Sequence, residues 1–383
     1  MRVPLAWKNL TGDPPRMLMS LLGIGFSVVL MLMQLGFRNS LVDSQVHLIH
    51  TFDCDAIVLS RSKYQLNRLQ PFSRRRLHQA AGVEGVVSAE PVYMALPEAL
   101  WRNPSDRTRH RIRVVGVDPL AAVFGREDLT SLQQRLVVPD TVLLDSRCRN
   151  AIGRVSEGDS TELSGRRVRV IGGFALGTDF QVDGTAVTSS RTFFNLFPEY
   201  RAADPKLSRV ELGLLTFSPG SDVEALVARL NAVLPPDVVT MSRQSLIRLE
   251  RDFWMANSPV GLVFNLGTVV GFIVGVVICA QILFTEVSEK RPQFATLKAI
   301  GYSNGYLTRV VLTQAGLLAV FGFVPGLAAS WLIYRGVAGL TGLMMQLSTE
   351  LSLTVLVLTV TMCLVSGLSA VRTVLAMDPA DVF

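Results

Sequence analysis

Charge is scarce in this sequence. Asp, Glu, Lys and Arg make up 18% of its 383 residues, against 49% hydrophobic, and the mean hydropathy is +0.37. A positive mean at this length points away from a soluble protein. Cysteine is scarce too, and four residues are too few for a disulfide scaffold. Cys279 and Cys363 fall inside apolar runs, while Cys54 and Cys148 could pair only if the fold brings them together. The four histidines all lie at or before residue 110. Ser303, in a Gly301-to-Gly305 match to G-x-S-x-G, therefore lacks the later His that a nucleophile elbow needs. No Gly-Lys pair occurs, so there is no P-loop, and ATP chemistry must belong to another chain. Asp43, His47, His50 and Cys54 could share a helical face, but without a second ligand group they are expected to be surface residues. No cofactor, metal or catalytic set is expected.

What the sequence does have is four long charge-free runs. Residues 17–37, 253–285, 310–334 and 351–371 contain 21, 33, 25 and 21 residues. Each can cross a hydrocarbon core about 30 Å thick, which takes roughly 20 helical residues. The first run is longer than a signal-peptide core, and no small-x-small site follows Phe37, so it is expected to stay as an anchor. The stretch 336–349 is short and Gly-rich and is expected to be a loop. No span carries a charge at its centre, which argues against an ion-coupled transporter or a channel. The reading is a four-span membrane protein, with a large α+β domain outside the cytoplasm between the first and second spans.

Orientation follows the basic residues. Arg2, Lys8, Arg16, Lys290, Arg291, Lys298, Arg309 and Arg372 share one side, and Arg335 stands alone in the short loop opposite. Eight against one places both termini in the cytoplasm. The expected layout is a tail at 1–16, span 17–37, outer domain 38–258, span 259–285, cytoplasmic segment 286–304, span 305–334, external loop 335–350, span 351–371 and tail 372–383. The outer domain has 28 basic and 25 acidic residues, a near balance with no nucleic-acid signal.

Within 38–258 the first helix is expected to continue to about Phe52. Strands are expected at 55–60, 84–96, 111–117, 142–144, 168–174, 187–188 and 210–217. A helix should cover 71–81, and another 221–234 with Ser221 as its cap. The Gly-rich stretch 118–204 could be an inserted subdomain. Residues 242–257 suggest an amphipathic stalk helix with Leu246, Leu249 and Phe253 on one face. Ser258-Pro259 looks like a helix start, and from Pro259 to Arg291 is 33 residues, about 50 Å of helix.

Two constellations stand out. Gly267, Gly271 and Gly275 form a ridge that lets another helix approach closely, either in the same chain or across a homodimer. Gly322 and Pro325-Gly326 should kink the third span. The stretch 286–302 contains a short helix with Pro292 at its first position, Phe294, Leu297 and Ile300 at intervals of three, Lys298 near its end and Gly301 after it. So short a helix needs something to dock on. A lipid surface and a partner protein are both consistent with its composition.

The segment Ser288-Glu289-Lys290-Arg291-Pro292-Gln293-Phe294 through Leu297, Lys298, Ile300, Gly301 and Tyr302 resembles the cytoplasmic coupling helix of MacB/FtsX-type ABC permeases, and is most similar to the DevC type. Phe264 after Asn257-Ser258-Pro259, Gln314-Ala315, Gly322 to Gly326 and the tail Asp378-Pro379-Ala380-Asp381-Val382-Phe383 also fit, as do Gly116-Val117-Asp118-Pro119 and Glu90-Pro91. The segment 288–292 departs from DevC-like chains, which carry a His and an acidic residue there. The resemblance implies a homodimer in the inner membrane, bound to two copies of a separate ABC ATPase, a periplasmic adaptor and an outer-membrane channel. It also implies that Phe294, Leu297 and Ile300 enter a groove on the ATPase. Motion would then pass through the stalk to the outer domain, which drives a substrate such as a glycolipid or other amphiphile outward. A lipoprotein-release permease and an FtsX-like scaffold activating a cell-wall hydrolase share the pattern.

The layout is testable by accessibility labelling on a cysteine-free background. A Lys298→Cys variant should react only from the cytoplasmic side, and labelling from outside would refute the orientation.

Overall fold

Among the described residues, four helices are long and apolar enough to cross a membrane, and a sheet-rich domain lies in the chain between the first two. The computed structural model describes residues 14–177, 179, 181–201, 208–256, 259–341 and 345–375. The protein is a four-span membrane protein with a large extracytoplasmic α+β domain. It divides into a membrane unit (Met1–Asn39, Pro259–Val337, Met345–Phe383) and an outer unit (Ser40–Ser258, Ala338–Met344).

The helices are α1 (Pro14–Thr51), α2 (Arg75–Ala81), α3 (Glu127–Gln133), α4 (Ser190–Leu196), α5 (Val223–Val233), α6 (Arg243–Ala256), α7 (Pro259–Glu289), α8 (Arg291–Ala299), α9 (Asn304–Thr341) and α10 (Thr349–Leu375). The strands are β1 (Ala56–Ser60), β2 (Phe72–Ser73), β3 (Val86–Ala95), β4 (Leu100–Arg102), β5 (Arg109–Arg111), β6 (Arg113–Val117), β7 (Thr141–Asp145), β8 (Ser160–Leu163), β9 (Arg166–Phe174), β10 (Thr185–Ser189), β11 (Arg209–Val210), β12 (Leu212–Phe217) and β13 (Val238–Ser242).

Eleven strands form one mixed sheet in the order β13-β1-β12-β3-β6-β10-β7-β9-β8-β4-β5, and β2 pairs with β11. The pairs β6–β10 and β7–β9 are parallel. Strands β1, β6, β7 and β10 are buried along their whole length, as strands covered on both faces must be. Period-two alternation sends Ala56, Val58, Tyr93 and Val114 to one face, where α2, α4 and α5 contribute Leu77, Phe193 and Leu226. Ile57, Leu59, Met94 and Val115 face the other way, toward Val46 and Ile49 of α1, Leu129 of α3, and Leu246 and Ile247 of α6.

Several expectations are corrected. The stretch 118–204 is not a separate subdomain, because its strands lie inside the same sheet. The helix expected at 71–81 begins only at Arg75, since Phe72 and Ser73 pair with Val210 and Arg209. The strand expected at 210–217 breaks at Glu211. The cap of α5 is Asp222 and not Ser221: its carboxylate accepts from the Glu224 and Ala225 N–H groups at 3.0 and 3.2 Å. The Gly-rich external loop is shorter than expected, because α9 continues to Thr341, and the helix is unbroken through Pro325. Cys54 and Cys148 are both free.

The stalk face is also different. Leu246, Ile247, Glu250 and Trp254 are buried on α6, whereas Leu249 is 39% exposed and Phe253 half-buried. Glu250 is the reason. It accepts the Leu66 N–H at 2.8 Å and the Trp254 indole N–H at 3.0 Å, so this carboxylate faces inward and turns Leu249 out. The same loop, residues 61–70, is held by two more buried acids. Lys63 donates to Glu211 and to the Arg68 carbonyl at 2.9 Å, and Gln70 N–H donates to Glu211 at 2.9 Å. Asn67 donates to Asp179 at 3.2 Å and to Gln45 of α1 at 3.3 Å, and accepts from Arg113, which also pairs with Asp179.

Burial pushes the Glu250 and Glu211 carboxyls up and the Lys63 ammonium down. A carboxyl whose folded pKa is raised stabilises most below its unfolded value, about 4.3, and that share is lost as pH rises through the folded value. Glu250→Ala strands two buried donors at roughly 1–3 kcal/mol each. Thermal unfolding of the full chain should show a lower Tm for the variant, with a larger deficit at pH 5 than at pH 8. An unchanged Tm would show that the carboxylate does not hold the loop.

Candidate functional site

The segment between α7 and α9 gathers most of the residues singled out from the sequence. Lys290 precedes α8 without a side-chain capping bond, and Pro292 sits at the helix's second position, one later than expected. The helix ends in a Schellman motif: the Gly301 N–H donates to the Lys298 carbonyl and the Tyr302 N–H to the Leu297 carbonyl, both at 3.1 Å. Gly301 takes φ +98°, a conformation that a side chain would strain. This turn reverses the chain into α9, so Ser303 follows a helix and not a strand, and no nucleophile elbow exists there.

The apolar residues of α8 do not act together. Phe294 is 3% exposed, and it belongs with Leu283, Val287, Leu307 and Val310 to the core of the membrane unit. Leu297 is half-buried against the same core. Ile300 is 70% exposed. At about 100° per residue, a spacing of three drifts by roughly 60° each time, so Ile300 lies about 120° round from Phe294. The expectation that Phe294, Leu297 and Ile300 enter one external groove is therefore corrected. Phe294 and Leu297 seat the helix on its own bundle, and Ile300 faces away.

Sequence reasoning missed the residues beside Ile300. Tyr302 and Tyr306 are both exposed, with ring centroids 4.8 Å apart. The sequence signal is two tyrosines four residues apart, and only the fold shows that both are exposed. Behind this surface, Glu286 accepts from Lys290 at 3.1 Å and from Gln314 of α9 at 3.0 Å, pinning the end of α7 to α9. The Arg291 side chain lies outside the described residues. Glu289 and Lys298 both lie within the segment, and Lys298 is half-buried.

The glycine ridge of α7 meets this chain's own first span. A Cβ at Gly267 would come within 2.5 Å of the Gln34 side chain, and one at Gly275 within 2.4 Å of Met362 and 3.1 Å of Ser27. Gly271 faces Met31 at 3.4 Å. The packing is within the subunit. Gly322 and Gly326 of α9 press on Ile24 and Val28 in the same way, and the Tyr334 hydroxyl bonds the Leu32 carbonyl. Among the described residues no cluster of three or more His, Cys, Asp or Glu could hold a metal.

Residues 265–379 match the FtsX-like permease C-terminal family, which covers most of α7 and all of α8 to α10. No curated protein matches the sequence significantly. Among solved structures, the chain is similar to the periplasmic region of MacB from Actinobacillus actinomycetemcomitans: 12% identity, TM-score 0.36, covering 52% of this chain and 93% of that one. It is also similar to the extracellular domain of the noncanonical ABC-type transporter YknZ from Gram-positive bacteria: 11% identity, TM-score 0.33, covering 49% and 100%.

Since Phe294 is part of the bundle core, Phe294→Ala should destabilise the chain itself by about 3–5 kcal/mol. Ile300→Ala should leave stability within about 0.5 kcal/mol. Thermal scanning of both purified variants separates the positions, and equal melting behaviour would show that Phe294 is not the seat.

Proposed function

Starting from an FtsX-like permease domain of the ABC-transporter type in its C-terminal spans, we propose that this chain is the membrane subunit of an ATP-driven export complex of the DevC type. ATP is hydrolysed by a separate ABC ATPase, and the chain itself catalyses nothing. It sits in the inner membrane with both termini in the cytoplasm and works as a homodimer with a periplasmic adaptor and an outer-membrane channel.

The observation that carries this reading is the division of labour on α8. Phe294 and Leu297 make the helix a fixed part of the bundle, and Ile300, Tyr302 and Tyr306 stand exposed beside it. A surface of this kind suits docking, because aromatic and aliphatic anchors supply most of the binding energy at protein interfaces. A push on a helix seated this way moves the ends of α7 and α9 and is not absorbed by a slack loop, since Glu286 joins both. The outer domain then moves substrate on the far side of the membrane, in keeping with spans that carry no central charge.

The test is a pull-down of the partner ATPase at matched expression. Each buried anchor contributes about 1.5–3 kcal/mol, so Ile300→Glu with Tyr302→Ala should weaken the complex at least about tenfold and leave Tm unchanged. Full ATPase retention by a correctly inserted variant would discard the docking surface.

A further inference from the structure

The outer unit contains a hollow of about 440 Å³ on the side of the sheet covered by α4. Arg74, Arg191 and Arg201 line it, with Ser190, Asn195 and the ring of Phe194, and among the described residues no carboxylate lines it. The frame is ordered by backbone bonds. The Arg74 N–H donates to the Ser208 carbonyl at 3.0 Å, β2 pairs with β11 beside it, and Ser189 caps α4. Phe194 is held edge-on against the buried Tyr93, with centroids 4.7 Å apart.

Six surface arginines of the outer unit sit against acids: Arg76 with Asp237, Arg102 with Glu162, Arg126 with Asp128, Arg135 with Glu157, Arg149 with Asp183 and Arg251 with Asp43, all within 3.0 Å. Arg191 and Arg201 are exposed, and among the described residues their guanidinium groups meet no hydrogen-bond or ion-pair partner. In a domain with nearly balanced charge, two guanidiniums left unpaired around a concavity that a third also enters mark a place for an anion from outside. Guanidinium forks match oxyanions with paired N–H donors, and the serine hydroxyl and asparagine amide can donate to further oxygens. Two unpaired guanidiniums, with Arg74 shared between the hollow and the Glu90 carboxylate, suit an anion with several acceptor oxygens better than a single carboxylate.

We propose that the hollow formed by Arg74, Arg191 and Arg201 binds a phosphate-type oxyanion, free or as the head of a larger molecule. This site is independent of the coupling surface, and its test needs no ATPase. The full chain, in detergent and in phosphate-free buffer at physiological salt, is titrated calorimetrically with inorganic phosphate and separately with dihexanoyl phosphatidic acid. The Arg191→Ala/Arg201→Ala variant removes exposed side chains only. Arg75→Ala, exposed and adjacent in sequence but outside the lining, is the control. Saturable binding of at least one probe is expected, weakened about tenfold or more in the double variant and unchanged in the control. Tighter binding of the lipid phosphate assigns the site to a headgroup, and equal binding assigns it to a free anion. The proposal is overturned if neither probe saturates, if the double variant binds undiminished, or if Arg75→Ala loses as much, which would mean diffuse surface charge alone.

Discussion

The outer domain depends on three carboxylates buried around one irregular loop. Glu211, Glu250 and Asp179 fix residues 61–70 from three sides, and each comes from a different part of the fold. Burying ionised groups is expensive, and replacing such a network with apolar residues of similar size would often cost little stability. What the network supplies is register. Glu250 must face the loop, so α6 can dock on the sheet with only one side, and Leu246 and Ile247 follow it inward. Asn67 extends the same contacts to Gln45 of α1. Both helices that lead toward the spans are therefore positioned by one set of polar bonds.

The membrane unit is held by different physics. Lipid tails are as apolar as leucine, so helix association cannot rely on hiding greasy surface and depends on close fit and internal hydrogen bonds. The chain meets both needs with small residues where helices cross and with bonds such as Tyr334 to the Leu32 carbonyl and Ser366 to the Val276 carbonyl. Where the bundle meets water, Phe294 returns to ordinary hydrophobic burial and fastens α8. Segment α8 is thus fastened to the spans it joins.

The spans were legible because the bilayer demands long uncharged helices and the sequence has four of them. The α+β character of the outer domain was legible from alternating short runs. Three things were not. A carboxylate such as Glu250 reads as solvent-facing in any hydrophobic pattern, which turns the expected inward face of α6 toward Leu249, whereas the donors from Leu66 and Trp254 hold Glu250 inward. The three-residue spacing of Phe294, Leu297 and Ile300 looked like a single stripe, but over two turns its drift divides buried from exposed. Likewise, Arg74, Arg191 and Arg201 are scattered over more than a hundred positions, and only the fold brings them around one hollow.

The close glycine contacts also bear on how this sequence can diverge. On the outward face of α7, Leu262, Val263, Leu266, Val269, Val270 and Ile273 are exposed, and exchange among aliphatic residues there changes little that this chain's own bundle can register. At Gly322 and Gly326 a single added methyl would collide with Ile24, Val28 and the Gly25 carbonyl, while at Gly267 and Gly275 it would displace the ends of Gln34 and Met362. Drift should therefore run opposite to the usual rule for water-soluble cores: large apolar residues change freely across generations, while the smallest residue in the chain is the one that selection holds in place.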